Sequence, residues 1–455
     1  MENLHEQGTK SSFQDNGKIV VGIDVGTTKI AVFIGQKDSQ GKVSIIGMGK
    51  TNSVGVQHGA VKVITKTAES IKIAVEQAEK KCNIKVTEAY VGIAGNNIKN
   101  SLLRGTKIIK EDDHIITQED VDSLLEDQYN IAMPPGESII DIVPQDYIVD
   151  GETGIADPVG MIGKTVECNY NLISGDETNV HNICLSVSMA GYKVKGLILE
   201  PIASSEAVIN SDEKTAGICL VDIGGGTTDM AIFKDGILRH TAVIQLAGNS
   251  ITNDVKESFR IMLNQAEALK THYGDCLQTE KQENTVIKVP GLKGRESREI
   301  TLFLLSGIIK ARVQMILQQV DYELKNDAYD KMLIAGIVLT GGGSKLKHIA
   351  QYTEFITGIA TRVGEPDPMW LGDSAKDCAD PMYSTGIGLV LKGFENEAKL
   401  ADNNPLEDNI EEPKVKNIEQ KEDTEQVEKG EKNKKPGLID KIRDFFFRIL
   451  NESVE

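Results

Sequence analysis

Two nine-residue stretches, about two hundred residues apart, share one order of residue types. Val21-Gly22-Ile23-Asp24-Val25-Gly26-Thr27-Thr28-Lys29 and Val221-Asp222-Ile223-Gly224-Gly225-Gly226-Thr227-Thr228-Asp229 each run from apolar residues through an aspartate into glycine and two threonines. Apolar residues resume at Ile30 to Ile34 and at Met230 to Phe233. Each copy predicts two strands joined by a tight turn. Glycines let backbone N–H groups close around an anion with no Cβ in the way, and threonine hydroxyls add donors. An aspartate at the end of each first strand, Asp24 and Asp222, can hold Mg²⁺ through water. Facing one another, the two turns would clamp a nucleotide's phosphates. Gly26, Thr27, Thr28 and Lys29 would stand on one side, and Gly224, Gly225, Gly226, Thr227 and Thr228 on the other.

A third glycine run completes the set. Gly336 to Thr340 is a buried-type strand that ends in Gly341-Gly342-Gly343-Ser344, and a helical pattern follows from Lys345. Glycines at such a place let a flat ring lie against the backbone, which makes this the candidate adenosine side. A strand ending in paired glycines is, taken alone, more often a sharp turn. Three such elements in this order point to one nucleotide.

A chain of 455 residues is too long for a single core and predicts two or more lobes. The net charge of −18 excludes a general nucleic-acid binder, because no broad basic surface is available. Six scattered cysteines fit reduced core thiols rather than a disulfide framework, and seven dispersed histidines give no zinc spacing. No signal peptide opens the chain, and residues 1–17 read as a disordered arm. No apolar run approaches the ~20 residues that cross a bilayer.

Residues 18–86 read as three strands and a helix around Val61 to Cys82, with Ile64, Ala68, Ile71, Val75, Ala78 and Cys82 on its apolar face. Residues 87–166 look different, with strands at Ala89 to Ala94, Ser101 to Ile109 and Ile139 to Val149 around a helix that Thr117 can cap. They are expected to form a small inserted α+β domain. Residues 167–205 return to the first lobe, where Pro201 sits in a helix's first turn. Residues 206–257 and 334–392 form a second lobe. A subdomain over 258–333 carries the end of one helix, Ile251 to Lys270, and another over Thr301 to Leu324.

The three phosphate-type motifs resemble the α/β, two-lobed actin/Hsp70/sugar-kinase ATPase fold, built from duplicated RNase-H-like subdomains. Further segments narrow the resemblance. Val91-Gly92-Ile93-Ala94-Gly95, Val143 to Asp150, the run from Gly151 to Gly163 (with Ile155-Ala156-Asp157-Pro158-Val159-Gly160-Met161), Leu199 to Val208 and Ala266 to Gly274 together are similar to the bacterial FtsA family. The likeness spans roughly Lys18 to Lys392. It implies ATP and Mg²⁺ as cofactors, with Asp24 and Asp222 organising the metal and Glu200 positioning an attacking water if hydrolysis occurs. It also implies that Glu267 and Lys270 reach the ribose and that Gly342, Gly343 and Ser344 border the adenine. Without it, Glu267 and Lys270 would read as an exposed helix pair worth a few tenths of a kcal/mol. Three positions depart from the family pattern: Ala247 replaces a glycine, Met315 a glutamate three residues after Arg312, and Asp141 a common histidine.

Beyond Lys392 the composition turns acidic, with thirteen acids against six lysines over residues 395–432, and 393–436 reads as a disordered linker. Some 40 flexible residues span roughly 35 Å on average. A helical pattern follows over 437–455. Leu438, Ile439, Ile442, Phe445, Phe446, Ile449 and Leu450 share one face and basic residues border it, as suits an anionic membrane surface. Burying those seven side chains yields about 1 kcal/mol each, close to the cost of ordering the helix. One copy therefore binds marginally and several copies bind by avidity.

The resemblance implies a scaffold that polymerises at the inner face of the cytoplasmic membrane at the division septum. Its partners would be the tail of the tubulin-like FtsZ, met by 258–333, later division proteins, met by 87–166, further copies of the chain, and the lipid. A metabolite kinase of the same superfamily is the enzymatic alternative, but the chain shows no convincing substrate segment. An Hsp70-like chaperone would need a substrate domain after residue 392. A PilM-like pilus-assembly protein shares the insertion type without such a tail.

Overall fold

The computed structural model describes residues 17–402 apart from 96–97, 111–112, 292–295, 327 and 373–377. The N-terminal arm over 1–16, most of the linker and the amphipathic helix over 437–455 lie outside the described residues. The first lobe opens with β1 (Lys18–Val25), β2 (Lys29–Lys37) and β3 (Val43–Asn52), an antiparallel meander. A two-residue pair, β4 (Val56–Gln57) and β5 (Ala60–Val61), leads to α1 (Ile64–Cys82). Helix α1 buries Ala68, Ile71, Val75 and Ala78 against β2 and β3, and Asn83 ends it in the left-handed region. Next, β6 (Glu88–Ile93) pairs parallel with β1.

The insertion comprises β7 (Lys99–Ile108), α2 (Gln118–Tyr129), β8 (Glu137–Val149), β9 (Glu152–Ile155) and β10 (Thr165–Asp176). Its antiparallel sheet has the order β7-β10-β8-β9. Thr117 caps α2 as expected: its hydroxyl accepts from Asp120 N, and the Asp120 carboxylate accepts from Thr117 N. Leu124 of α2 packs with Ile116, Val166 and Tyr170 in a separate small core. The expected bounds of 87–166 need correction at both ends. Strand β6 hydrogen-bonds into the first lobe, and β10 continues the insertion sheet to Asp176.

After β10 come α3 (Glu177–Met189), β11 (Lys193–Leu199) and α4 (Glu200–Val208), with Pro201 in the first turn of α4. The first-lobe sheet is thus ordered β11-β6-β1-β2-β3. The second lobe repeats that plan. Following α5 (Ser211–Ala216), it has β12 (Ile218–Ile223), β13 (Thr228–Lys234), β14 (Ile237–Ile244), α6 (Gly248–Phe259) and α7 (Leu263–Tyr273). A hairpin of β15 (Val286–Val289) and β16 (Arg298–Thr301) precedes α8 (Leu302–Asn326), β17 (Gly336–Thr340), α9 (Ile349–Thr357) and β18 (Thr361–Val363). The sheet order β14-β13-β12-β17-β18 matches the first lobe, with the same antiparallel and parallel neighbours. The single helix expected over Ile251 to Lys270 is two, because Arg260 turns left-handed at φ 48°.

The last described helix, α10 (Ser384–Asp402), runs past the expected lobe boundary at Lys392. It packs on β1, β2, β6 and α4, so the end of the folded body belongs to the first lobe, not the second. Together α4 and α10 form a middle layer between the two five-stranded sheets. Period-two alternation shows both sides of the second sheet: Ile218, Leu220, Ala231 and Phe233 join the core shared with the first lobe, while Cys219, Val221, Ile223, Met230 and Ile232 join the core under α6 and α8.

Backbone approach within the middle layer is unusually close. A Cβ on Gly388 of α10 would stand 1.7 Å from the Ala203 carbonyl oxygen of α4, and one on Gly386 would stand 2.4 Å from the Phe33 ring. Neither neighbour is a flexible side-chain end. Gly388→Ala is therefore expected to destabilise the protein by about 1–3 kcal/mol or more through overpacking. Denaturant unfolding checks this, and a midpoint equal to the parent's would show that the helices separate without cost.

Candidate functional site

Both glycine–threonine turns form at the ends of central strands, β1 to β2 and β12 to β13, where the parallel neighbours leave a crevice. They confront each other directly. A Cβ on Gly225 would lie 1.9 Å from Thr28 Oγ1, and one on Gly226 would lie 2.3 Å from Thr27 Oγ1. Glycine is needed at both places because any side chain would wedge the lobes apart. Around this contact opens a cleft of about 720 Å³.

Most residues expected at the site line that cleft: Asp24, Gly26, Thr27, Thr28, Lys29, Glu200, Asp222, Gly224, Gly225, Gly226, Thr227, Glu267, Lys270, Gly341, Gly342 and Gly343. Two expected residues, Thr228 and Ser344, do not line it. Thr228 is fully buried and donates its hydroxyl to the Leu246 carbonyl at 2.7 Å. Ser344 is buried and donates to the Gly341 carbonyl at 2.7 Å, which closes the glycine turn from behind. Both are corrections, and each hydroxyl holds backbone instead of facing the cleft. Asp229, by contrast, was not foreseen. It pairs directly with Asp222 across β12 and β13 and lines the cleft.

Four carboxylates, Asp24, Glu200, Asp222 and Asp229, thus line the cleft together with Lys29 among them, the three aspartates buried and Glu200 half-buried. Lys29 Nζ donates to Asp24 Oδ2 at 2.8 Å. Burial opposes its charge, but Asp24, Asp222 and Glu200 hold its pKa above the ordinary lysine value. Ser204 Oγ and Thr385 Oγ1 donate to Asp222 Oδ2 at 2.7 and 3.2 Å. Burial nonetheless raises the Asp222 pKa. Glu200 is pushed well above the usual range by burial and then by repulsion from Asp24, Asp229 and Asp222. Asp229 accepts from Thr227 Oγ1 at 2.9 Å through Oδ2, while its buried Oδ1 lacks a hydrogen-bond partner. Burial and the neighbouring Asp222 raise its pKa to about 7. An orphaned buried carboxylate oxygen beside three further acids suits an incoming cation. Among the described residues no three acids, histidines or cysteines are close enough to ligate a metal together, so the fit is to a hydrated ion.

At the far end Lys270 Nζ bonds Glu267 Oε2, Thr252 Oγ1 and the Gly248 carbonyl at 2.8, 2.8 and 3.1 Å. This one-turn pair is pinned to α6 as well as facing the cleft, so it is more than a solvated surface pair. Gly248 itself donates to the Gly224 carbonyl, tying α6 to the second phosphate-type turn. Of the three departures from the family pattern, Ala247 is the buried N-cap of α6. Met315 Sδ stands 3.6 Å from Arg312 Nη1, and Arg312 takes Asp254 as its carboxylate partner at 2.6 and 2.9 Å. Asp141 lies under Tyr129 in the insertion, its pKa raised by burial and partly offset by Lys392.

The Asp229 proton has a measurable consequence. The folded protein retains it up to about pH 7, whereas the ordinary aspartate value is 3.8. Folded protein therefore binds the extra proton across that window, and stability falls as pH rises through it. Asp229→Asn is expected to lessen this fall and to raise the melting temperature near about pH 8. Thermal melts without added nucleotide or Mg²⁺, between about pH 5 and about pH 8, check it; a slope identical to the parent's would mean that Asp229 is charged in the folded state.

Comparison with known proteins follows the same lines. The profile of the family described as cell division protein FtsA matches residues 219–388, and that of the SHS2 domain inserted in FtsA matches residues 95–174. The chain is 38% identical to the cell division protein FtsA of Neisseria meningitidis serogroup B over 83% of its own length and 91% of that protein's. It is 33% identical to FtsA of Escherichia coli K12, over 83% and 91%, and 32% identical to FtsA of Bacillus subtilis 168, over 84% and 85%. Among solved structures, a PilM-PilN type IV pilus biogenesis complex aligns at TM-score 0.61 and 15% identity, covering 82% of this chain and 98% of that one. MreB5 of Spiroplasma citri bound to ADP aligns at 0.51 and 14%, covering 85% and 99%. These two establish the actin-like fold, and the sequence relatives establish more: the chain belongs to the FtsA family of bacterial cell-division proteins.

Proposed function

We propose that this actin-like cell-division protein binds ATP with Mg²⁺ in its interlobe cleft and acts as a membrane-bound scaffold for the division ring. The observation that carries the reading is the direct opposition of the two glycine–threonine turns beside three buried aspartates and the half-buried Glu200. Asp24 and Asp222 would hold the metal through water, with Asp229 as a third nearby acid. Gly26, Thr27, Thr28, Gly225, Gly226 and Thr227 would cradle phosphates, and Lys29 would move from Asp24 toward them. Bound Mg²⁺ supplies positive charge against the triphosphate. Glu267 and Lys270 would meet the ribose, and Gly341, Gly342 and Gly343 the adenine. An MreB5 that shares this fold is a structure bound to ADP, which supports the nucleotide reading.

Glu200 starts α4, within the acidic cluster. Burial and the neighbouring acids raise its pKa and so favour its protonated form, and an entering cation would oppose that shift and favour the carboxylate that orients water. Slow hydrolysis at most is the expectation.

No described helix is long and apolar enough to cross a membrane. Attachment would fall to the amphipathic stripe from Leu438 to Leu450. In this reading copies assemble into filaments on the inner face of the membrane at the septum, and marginal single-helix affinity becomes firm binding by avidity. The region over 258–333 would hold the FtsZ tail, and the insertion would meet later division proteins.

Asp222→Ala is expected to weaken ATP binding strongly in a Mg²⁺-containing titration, and parental affinity would rule out the assigned site. Deleting residues 437–455 should abolish pelleting with anionic liposomes while ATP binding persists. Pelleting that survives the deletion would locate the lipid contact elsewhere.

A further inference from the structure

The insertion is covalently part of the first lobe, yet it is hydrogen-bonded to the second. Among the described residues, Asn100, Gln145 and Asp146 of the insertion make the connection, all to β14, where Arg239 also donates to Gln145 Oε1 at 3.5 Å. Asn100 of β7 bonds Thr241 twice: its amide donates to the Thr241 carbonyl, and its carbonyl oxygen accepts from Thr241 Oγ1 at 2.9 Å. Gln145 of β8 donates to the Leu238 carbonyl at 2.8 Å, with both partners buried. Asp146 of β8 accepts from Arg239 at 3.0 and 3.5 Å. Thr241 is 2% exposed and Gln145 and Leu238 are buried, so the Thr241 and Leu238 bonds are shielded from competing water, whereas the Asp146–Arg239 pair is part-exposed.

Strand β14 leads straight to the cleft. Five residues after Thr241, the Leu246 carbonyl accepts the Thr228 hydroxyl beside the second phosphate-type turn. Gly248 and Asn249 then donate to the carbonyls of Gly224 and Gly225 in that turn. The strand gripped by the insertion therefore continues into the backbone that supports the proposed phosphate site. The turns touch across the cleft, so a polyphosphate between them would displace one lobe relative to the other.

We infer that Asn100, Gln145 and Asp146 form a strap that couples occupancy of the cleft to the position of the insertion. The inference rests on the nucleotide reading above. Lobe rotation must either carry the insertion along β14 or break the strap, and both alter the surface that the insertion presents. Coupling of this kind is reciprocal: a ligand that fixes the insertion against β14 must change nucleotide affinity by the same factor, typically about fivefold or more. Asn100, Gln145 and Thr241 are positioning residues only, since none lines the cleft.

Hydrogen exchange on the full-length chain, with and without ATP and Mg²⁺, tests the strap. In the parent, nucleotide should change protection of residues 99–108 and 137–149. In Asn100→Ala/Gln145→Ala that response should be lost while ATP still binds and the response over 224–227 persists. Thr241→Val, which removes one hydroxyl from the other side of the contact, should reduce the same response and guards against a folding defect in the double variant. A parent that binds ATP without any change in β7 and β8, or variants that keep the full response, would overturn the strap and leave the nucleotide site standing. Absence of ATP binding by the parent would instead sink the nucleotide reading and the strap with it.

Discussion

Four acids gathered around one lysine in a buried crevice are the constraint on which the rest of the structure turns. Crowding Asp24, Glu200, Asp222 and Asp229 together is costly, because like charges at short range in low dielectric repel strongly. The protein answers with Lys29, with hydroxyls from Ser204, Thr385 and Thr227, and with raised pKa values at Glu200 and Asp229. Such a cluster is weak evidence for stability and stronger evidence for a waiting charge. Each acid also comes from a different element, β1, α4, β12 and β13. The cluster therefore exists only when both sheets close on the middle helices, and the small residues at that crossing, Ala203 and Gly388, serve the site as well as the core.

Duplication explains how such a site arises, and asymmetry explains its polarity. Both lobes place an antiparallel meander beside two parallel strands, so both present a strand-turn-strand unit to the same crevice. After the paired threonines one copy continues with Lys29 and the other with Asp229. The lysine neutralises Asp24 across the turn, whereas the aspartate faces Asp222 and needs a proton or a cation. A symmetric fold thereby carries an unsymmetric charge distribution, with its excess negative charge on the second lobe.

Legibility in the sequence followed how local the determinants were. The phosphate-type turns were readable because glycine and threonine dictate a turn from within a few residues, and Thr117 announced its helix by the same local logic. Thr228 and Ser344 were misplaced because adjacent residues in a strand or tight turn point to opposite sides, and composition does not say which side faces the cleft. Asp229 carried a usable signal, standing where the first copy has Lys29, but its meaning depends on cross-strand register with Asp222. The insertion's expected bounds differ from the observed ones for a non-local reason, since only pairing assigns β6 to the first-lobe sheet and β10 to the insertion sheet. The expected lobe boundary at Lys392 falls inside α10 because the residues after it are largely acidic, yet Phe394 is buried in the core and Lys392 and Lys399 pair with Glu395 along the helix.

That helix also joins regions that the sequence presents as separate. Thr385, in its first turn, donates to Asp222 in the cleft. Further on, Lys392 lies close enough to Asp141 of the insertion to oppose the effect of burial on that carboxyl. Lys195 of β11 bridges Glu88 and Glu397 nearer its end. A helix of 19 residues is about 28 Å long, so one element reaches from the cleft wall past the insertion to the edge of the first-lobe sheet. Through the Thr385–Asp222 bond the start of this helix, packed on the first-lobe sheet, is tied to the second lobe, so the cleft wall is built from both lobes at that point.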